Sequence, residues 1–299
     1  MFRKSLAILV FMAFAGSLLA APDAAPLQSK LTAAEIVDKN VAARGGLQAW
    51  RAVHTMTFTG KMGAGGNQRA ALPVSAPGVP GRKSMQPSPS TRPVDEVQLP
   101  FQMDLKRGGK IRIELQFNGQ TAVQVYDGAN GWKLRPFLNR RVVEPYTPEE
   151  AKMASAKTDL DGPLVDYAAK GSKIELAGME KVENRDAYKL KLTMKDGTAL
   201  DVWIDAQTFL ETKMGGQPRR LDGAYHPVEV YFRDYRVVNG LQIPFVLETK
   251  VLPITQAGKR STTPPVPVEK TIIEKVTVNP NLEESLFSKP DAGVASNVK

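Results

Sequence analysis

Apolar and polar residues alternate along Lys110 to Phe117, where Ile111, Ile113, Leu115 and Phe117 are separated by Arg112, Glu114 and Gln116. A period of two places the two sets on opposite faces of a β-strand, one oily and one wet. After Asn118-Gly119, a dipeptide suited to a tight hairpin turn, the pattern resumes through Val123 and Val125, then Trp132 and Leu134. The same period predicts strands through Met56 and Phe58, Phe101 to Leu105, Ile174 to Leu176 and Ala187 to Met194. Further strands are expected at Ala199 to Asp205, Leu210 to Met214, Val228 to Tyr235, Pro244 to Lys250 and Glu269 to Val278. Lys195-Asp196-Gly197-Thr198 reads as a tight turn between two of them.

Helices are few. Thr32 and Glu35 form a capping box, so a helix is expected to run to about Ala43 and stop at Gly45-Gly46, with a short turn carrying Trp50 after it. Thr147 and Glu150 form a second box with Pro148 at the first helical position, for a helix through about Ala156. A shorter helix is expected from Leu164 to Ala169, ending at Gly171. Helices that sit early and in the middle, without alternating with strands, argue against a parallel doubly wound sheet. The expectation is a mainly β fold of about ten antiparallel strands with two or three short helices.

Two stretches have no period. Residues 63–97 hold Gly65, Gly66 and six prolines, and residues 252–267 are similarly loop-like. The amino terminus has Arg3 and Lys4, an apolar run from Leu6 to Ala15, and Leu18-Leu19-Ala20-Ala21. This is the pattern of a secretory signal peptide cut after Ala20 or Ala21, too short in its apolar run for a comfortable membrane span. With no cysteine to carry a lipid, the mature chain is expected to be soluble in the periplasm. The organisation follows: signal peptide 1–20, linker 21–31, one domain over 32–290 and a tail at 291–299.

The formal charge of +9 falls to +7 when Arg3 and Lys4 leave with the signal peptide. The remaining cations are scattered, which favours approach to an anionic membrane but lacks the basic, aromatic-interleaved run of a nucleic-acid binder. Without disulfides the fold depends on burial alone. Candidate chemistry is sparse. His54 and His226 stand alone, and neither has a partner at metal-ligand spacing. No G-x-S-x-G elbow or phosphate-cradling glycine loop is present, and Gly63 to Gly66 lies in the proline-rich stretch. Asp159, Asp161, Glu149 and Glu150 sit where helix amino termini favour negative charge. No cofactor, metal site or catalytic residue is assigned, and the chain is read as a binding protein acting as a monomer.

The informative feature is the oily face itself: Phe58, Phe101, Met103, Leu105, Ile111, Ile113, Leu115, Phe117, Val123, Val125, Trp132, Ile174, Leu176, Tyr188, Leu190, Leu192 and Phe232. These residues meet a packed core, a partner protein or a greasy ligand. Two or three small helices give little material to fill a curved sheet, so an apolar cavity lined by this set is the expectation. A lipid tail buried there gains about 0.8 kcal/mol per methylene.

Several segments in order carry a resemblance: "TAAEIVDKNVAARGGLQAWRAVHTMTFTGKM", "PFQMDLKRGGKIRIELQFNGQTAVQVYDGANGWKLRPF", "DLDGPLVDYAAKGSKIELAGMEKVENRDAYKLKLTMKDG", "YFRDYRVVNGLQIPF" and "NLEESLFSKP". Over most of residues 32–290 the chain resembles the outer-membrane lipoprotein-sorting protein family, the LolA/LolB-like superfamily. The resemblance implies an incompletely closed antiparallel β-barrel with short helices over an apolar concave side. It implies binding of lipid or lipoprotein acyl chains in the periplasm. Some members act as sensors, so an envelope sensor or scaffold with a membrane-protein partner is the other reading. The two aperiodic stretches make this chain larger than the compact carrier, and no cavity residue of the family is carried over.

Overall fold

A computed structural model describes residues 31–63, 97–136, 140–221, 224–256, 259–260 and 267–291. The expected signal peptide, most of the linker and tail, and nearly all of the 63–97 stretch lie outside them.

The two capping boxes form as read. Helix α1, Ala33–Ala43, starts where the Glu35 amide donates to Thr32 Oγ1 and the Glu35 carboxylate accepts from the Thr32 amide at 2.8 Å. Gly45 (φ 114°) and Gly46 (φ 93°) end it, and the short helix α2, Leu47–Arg51, follows. The box of Thr147 and Glu150 opens α3, Pro148–Ser155. The helix expected at Leu164 is instead a run of turns through Gly171. Asp166 takes a positive φ of 52°, which interrupts right-handed helix.

The strands are β1 Thr55–Gly63, β2 Gln98–Lys106, β3 Lys110–Phe117, β4 Gln120–Tyr126, β5 Gly131–Arg135 and β6 Arg140–Pro145. After α3 come β7 Lys173–Val182, β8 Arg185–Thr193, β9 Ala199–Asp205, β10 Glu211–Leu221, β11 Ala224–Val238 and β12 Leu241–Val251. The short ribbon β13 Thr255–Gln256 and β14 Lys259–Arg260 precedes β15 Glu269–Val278. The alternation had not revealed β6 or the ribbon, because neither carries an apolar period.

Thirteen strands form one sheet in the order β6-β5-β4-β3-β2-β1-β15-β12-β11-β10-β9-β8-β7, antiparallel throughout. It is two meanders, β1–β6 and β7–β12, joined only where β15 pairs with β1 on one side and β12 on the other. The edge strands β6 and β7 do not pair, so the barrel is open, and α3 with its following turns crosses from one edge to the other.

One face curves around α1, α2 and the turns after α3. Ile36, Val37, Trp50, Leu160, Leu164 and Val165 pack there against Met56, Ile111, Leu190, Ile204 and Ile243. On the other face a patch of Val123, Val125 and Leu134 lies beneath Phe287, which a one-turn 3-10 helix, Glu284–Phe287, brings over it. Further along that face, Lys213 stacks on Trp203 at 3.9 Å and Lys250 on Tyr231 at 3.9 Å, with Lys213 also paired to Glu229 at 2.7 Å.

β1 and β15 meet at a bulge where Gly60 lies against the partner backbone. A Cβ at Gly60 would sit 2.0 Å from the Ile272 carbonyl oxygen. Gly60→Ala should therefore lower stability by about 1–3 kcal/mol, the range for overpacking. A urea midpoint equal to the parent's would show that the seam yields freely.

Candidate functional site

The structure divides the predicted oily set. Phe58, Phe101, Leu105, Ile111 and Leu190 are buried in the concave core, with Met103, Ile113, Leu115, Ile174, Leu176 and Tyr188 half-buried against it. Leu192 is fully buried, paired with Ile174 on β7 and Leu200 on β9. Phe232 is half-buried and opposes Leu247, a residue of the same core. Phe117 ends its strand 37% exposed.

Val123, Val125 and Trp132 do not join them, and their placement corrects the reading of a single oily face. The Asn118-Gly119 turn, both residues at positive φ, pairs Phe117 with Gln120. Ile111 then opposes Tyr126, while Val125 opposes Arg112 and Val123 opposes Glu114. Odd-numbered residues of β3 share a face with even-numbered residues of β4. Val123, Val125 and Trp132 consequently pack with Phe287, Leu282 and Leu286 on the convex side. β4 is apolar on both faces, and alternation within one strand does not say which face is the concave one.

The concave face is filled unevenly. The part under α1 and α2 is solid core. The part under α3 keeps a cavity of about 110 Å³ bounded by Ile111 and Ile113 of β3, Gln124 of β4, Arg135 of β5, Tyr146, and Glu150, Met153, Ala154 and Lys157 of α3 and its end. No residue of α3 is buried, Met153 is 42% exposed, and only Ala151 and Ala154 rest on the core. The Tyr146 ring lies over Gly131, where a Cβ would stand 1.9 Å from it. Burial, with Glu150 nearby, pushes the Tyr146 hydroxyl up to about 12, against the opposing pull of Arg135.

Ionic contacts hold the start of α3. Lys133, itself buried, donates to Glu150 at 2.6 Å, and Arg135 reaches the same carboxylate at 3.2 Å. Burial alone would raise the Glu150 pKa. The Lys133 hydrogen bond, the Thr147 amide and the charges of Lys133 and Arg135 outweigh it and hold the group below its usual range. At the far end Lys157 is exposed as a residue, yet the protein around it displaces part of its water, and this, then the charge of Arg219, pulls it below the usual lysine range. Sequence reasoning missed these flanking residues. The capping box announced α3, but nothing local placed it over β3.

Beside the following turns lies a second cleft of about 240 Å³, bordered by Asp159, Pro163, Lys170, Ser172, Met194, Lys195 and Asp196. Lys170 binds Asp159 at 2.7 Å and Asp161 at 2.6 Å, and Arg107 reaches Asp161 at 2.9 Å. Burial and the neighbouring Asp161 push Asp159 up to about 6, against Lys170. Asp161 is held low: burial opposes this, but the Asp159 hydrogen bond, Lys170 and Arg107 prevail. Among the described residues no group of three or more His, Asp or Glu could hold a metal ion. His226 is buried with Nδ1 3.1 Å from the Leu252 carbonyl oxygen, and His54 opens β1 from an exposed position. No helix among the described residues is long and apolar enough to cross a membrane.

Two outcomes are expected. Glu150→Gln should raise amide exchange in α3 by about tenfold, the worth of one hydrogen bond from the buried Lys133 to a charged group, with β3 to β5 unchanged. Because Glu150 is held low, acid should loosen α3 only below the ordinary carboxylate range. Unaltered exchange in α3 would remove the latch. Asp159 binds a proton in the folded state up to about pH 6, whereas the unfolded chain releases it near 3.8, so stability should fall as pH rises between those values. Asp161 contributes in the opposite sense, and its share is lost only below 3.8. Asp159→Asn should shrink the difference between urea midpoints at about pH 4 and about pH 6; an unchanged difference would refute the assignment.

No family model and no curated protein matches the chain. Among solved structures it is similar to a LolA superfamily protein from Nitrosomonas europaea, at 14% identity and TM-score 0.49, over 87% of this chain and 98% of that one. It is also similar to an outer membrane lipoprotein-sorting protein domain from Vibrio parahaemolyticus, at 14% identity and TM-score 0.48, over 86% and 96%. A DUF1329 family protein from Desulfovibrio piger matches at 12% identity and TM-score 0.50, over 86% and 97%. With the Desulfovibrio piger structure the chain has its fold in common.

Proposed function

We propose that this chain is a periplasmic binding or carrier protein that holds lipid or lipoprotein acyl chains on its concave apolar face, beneath α3. The observation that carries this reading is the mismatch between wall and cover. The wall of Ile111, Ile113 and Tyr146 is continuous with the core, while the helix over it has no buried residue. The cavity of about 110 Å³ is smaller than the ~300 Å³ at which ligand pockets begin. A tail therefore enters as α3 moves outward, and that movement exposes little apolar surface. A sixteen-carbon tail buried there gains on the order of 12 kcal/mol, which exceeds the few ionic contacts that hold α3. The resemblance of the residue segments to lipoprotein-sorting proteins points the same way.

The test is mass spectrometry of an organic extract from natively purified protein. Stoichiometric phospholipid or acylated peptide is expected. An extract that is empty after purification without detergent would overturn the reading and favour a role in binding a membrane-protein partner.

A further inference from the structure

We propose that the cleft beneath α3 selects anionic amphiphiles, with Lys157 as the cation that receives the head group. This rests on the acyl-chain reading above and adds the class of ligand. The cleft joins an apolar wall, Ile111, Ile113 and Tyr146, to a charged rim of Arg135, Glu150 and Lys157. The rim is not neutral. Glu150 is engaged by both Lys133 and Arg135. Lys157 has no carboxylate partner among the described residues, and Arg219, the charge that acts on it, is already paired with Glu269 at 2.9 Å.

A lysine at the carboxyl end of a helix ordinarily extends into water, where the helix dipole suits it. Lys157 is exposed as a residue but also borders an apolar cleft, with a second cation acting on it and no carboxylate partner among the described residues. Its lowered pKa is the expected signature of that situation. A carboxylate or phosphate at the mouth supplies the missing charge and hydrogen-bond acceptor while its tail lies along Ile111 and Ile113. Charge-assisted bonds of this kind are about twice as strong as neutral ones. Gln124 adds a neutral polar group at the same cleft.

The experiment compares three sixteen-carbon probes, palmitate, hexadecyl phosphate and hexadecanol, by isothermal titration against the full chain and against Lys157→Met. Both anions, or whichever one the head-group site suits, should bind the parent about tenfold or more tighter than hexadecanol, as one charge-assisted hydrogen bond provides. Lys157→Met should bring the anions down to the level of hexadecanol and leave hexadecanol unchanged, while Lys157→Arg keeps the preference. Which anion binds tighter identifies the source as a fatty carboxylate or a phosphate head group. If the parent binds hexadecanol as tightly as the anions, or Lys157→Met retains the preference, the anion site is overturned and the acyl cavity stands. If none of the three binds, both readings fall. Lys157 makes no contact with a carboxylate that the methionine would break, so the variant should unfold at the parent's temperature.

Discussion

Asp161 ties the parts of this molecule together. Its carboxylate receives Arg107 from the turn after β2 and Lys170 from the turns after α3. Its carbonyl oxygen receives Arg44 at 3.0 Å. Arg44 in turn pairs with Glu211 of β10 at 3.3 Å and stacks on Trp50 of α2 at 4.4 Å. Arg107 also donates to the carbonyls of Val53 and Trp50. Two cations thus meet the buried carboxylate directly, and Arg44 and Arg107 link the residue onward to the end of α1, to α2 and to β10. Such a charge contributes little net stability while its partners are present, but removing one partner leaves the others desolvated and unmatched. The node therefore sets position more than it adds energy. It fixes where the chain leaves α3, and so how far α3 stands from β3.

That separation governs the uneven interior. The turns between Leu160 and Val165 are drawn down onto α1 and α2 and fill that half of the concave face with aliphatic side chains. α3 is held at its start by Glu150 and ends before the node, and it spans the remaining half without burying a residue. The convex face is covered differently. Its apolar patch lies under Phe287, and the lysines along β10 and β12 are taken up by Trp203, Tyr231 and carboxylates of neighbouring strands. The concave side under α3 combines apolar wall, loose cover and a cation without a carboxylate partner among the described residues.

How much of this was legible depended on whether a feature is local. Both capping boxes, the glycine stop at Gly45-Gly46 and the alternation of β3 are written in consecutive residues, and each forms as read. The open antiparallel fold was legible from the number and adjacency of the strands and from the resemblance. Which face β4 offers was not. That depends on the register imposed by Asn118-Gly119 and on Phe287, which lies far along the chain yet covers Val123 and Val125. The helix expected at Leu164 failed because Asp166 adopts a backbone angle that tertiary bonding to Arg51, at 2.6 Å, makes tolerable. Lys157 and Arg135 carried no signal at all. A lysine beside an alanine-rich helix end looks like any solvated cation until the fold sets it beside Ile111.

The placement of β15 has a consequence for how the molecule comes into being. Hairpins from β2 to β6 and from β7 to β12 join near neighbours in the chain, but the seam opposes Met56 to Val278. Each meander alone presents a raw edge, β1 or β12, with a row of unpaired backbone groups. Neither edge can be satisfied by the intended partner until nearly the whole chain is available. Assembly is thus a keystone problem: local pairings form early, and cooperative closure waits on the last strand. The half-built protein is correspondingly the form most exposed to wrong strand addition, and the form a chaperone would have reason to hold.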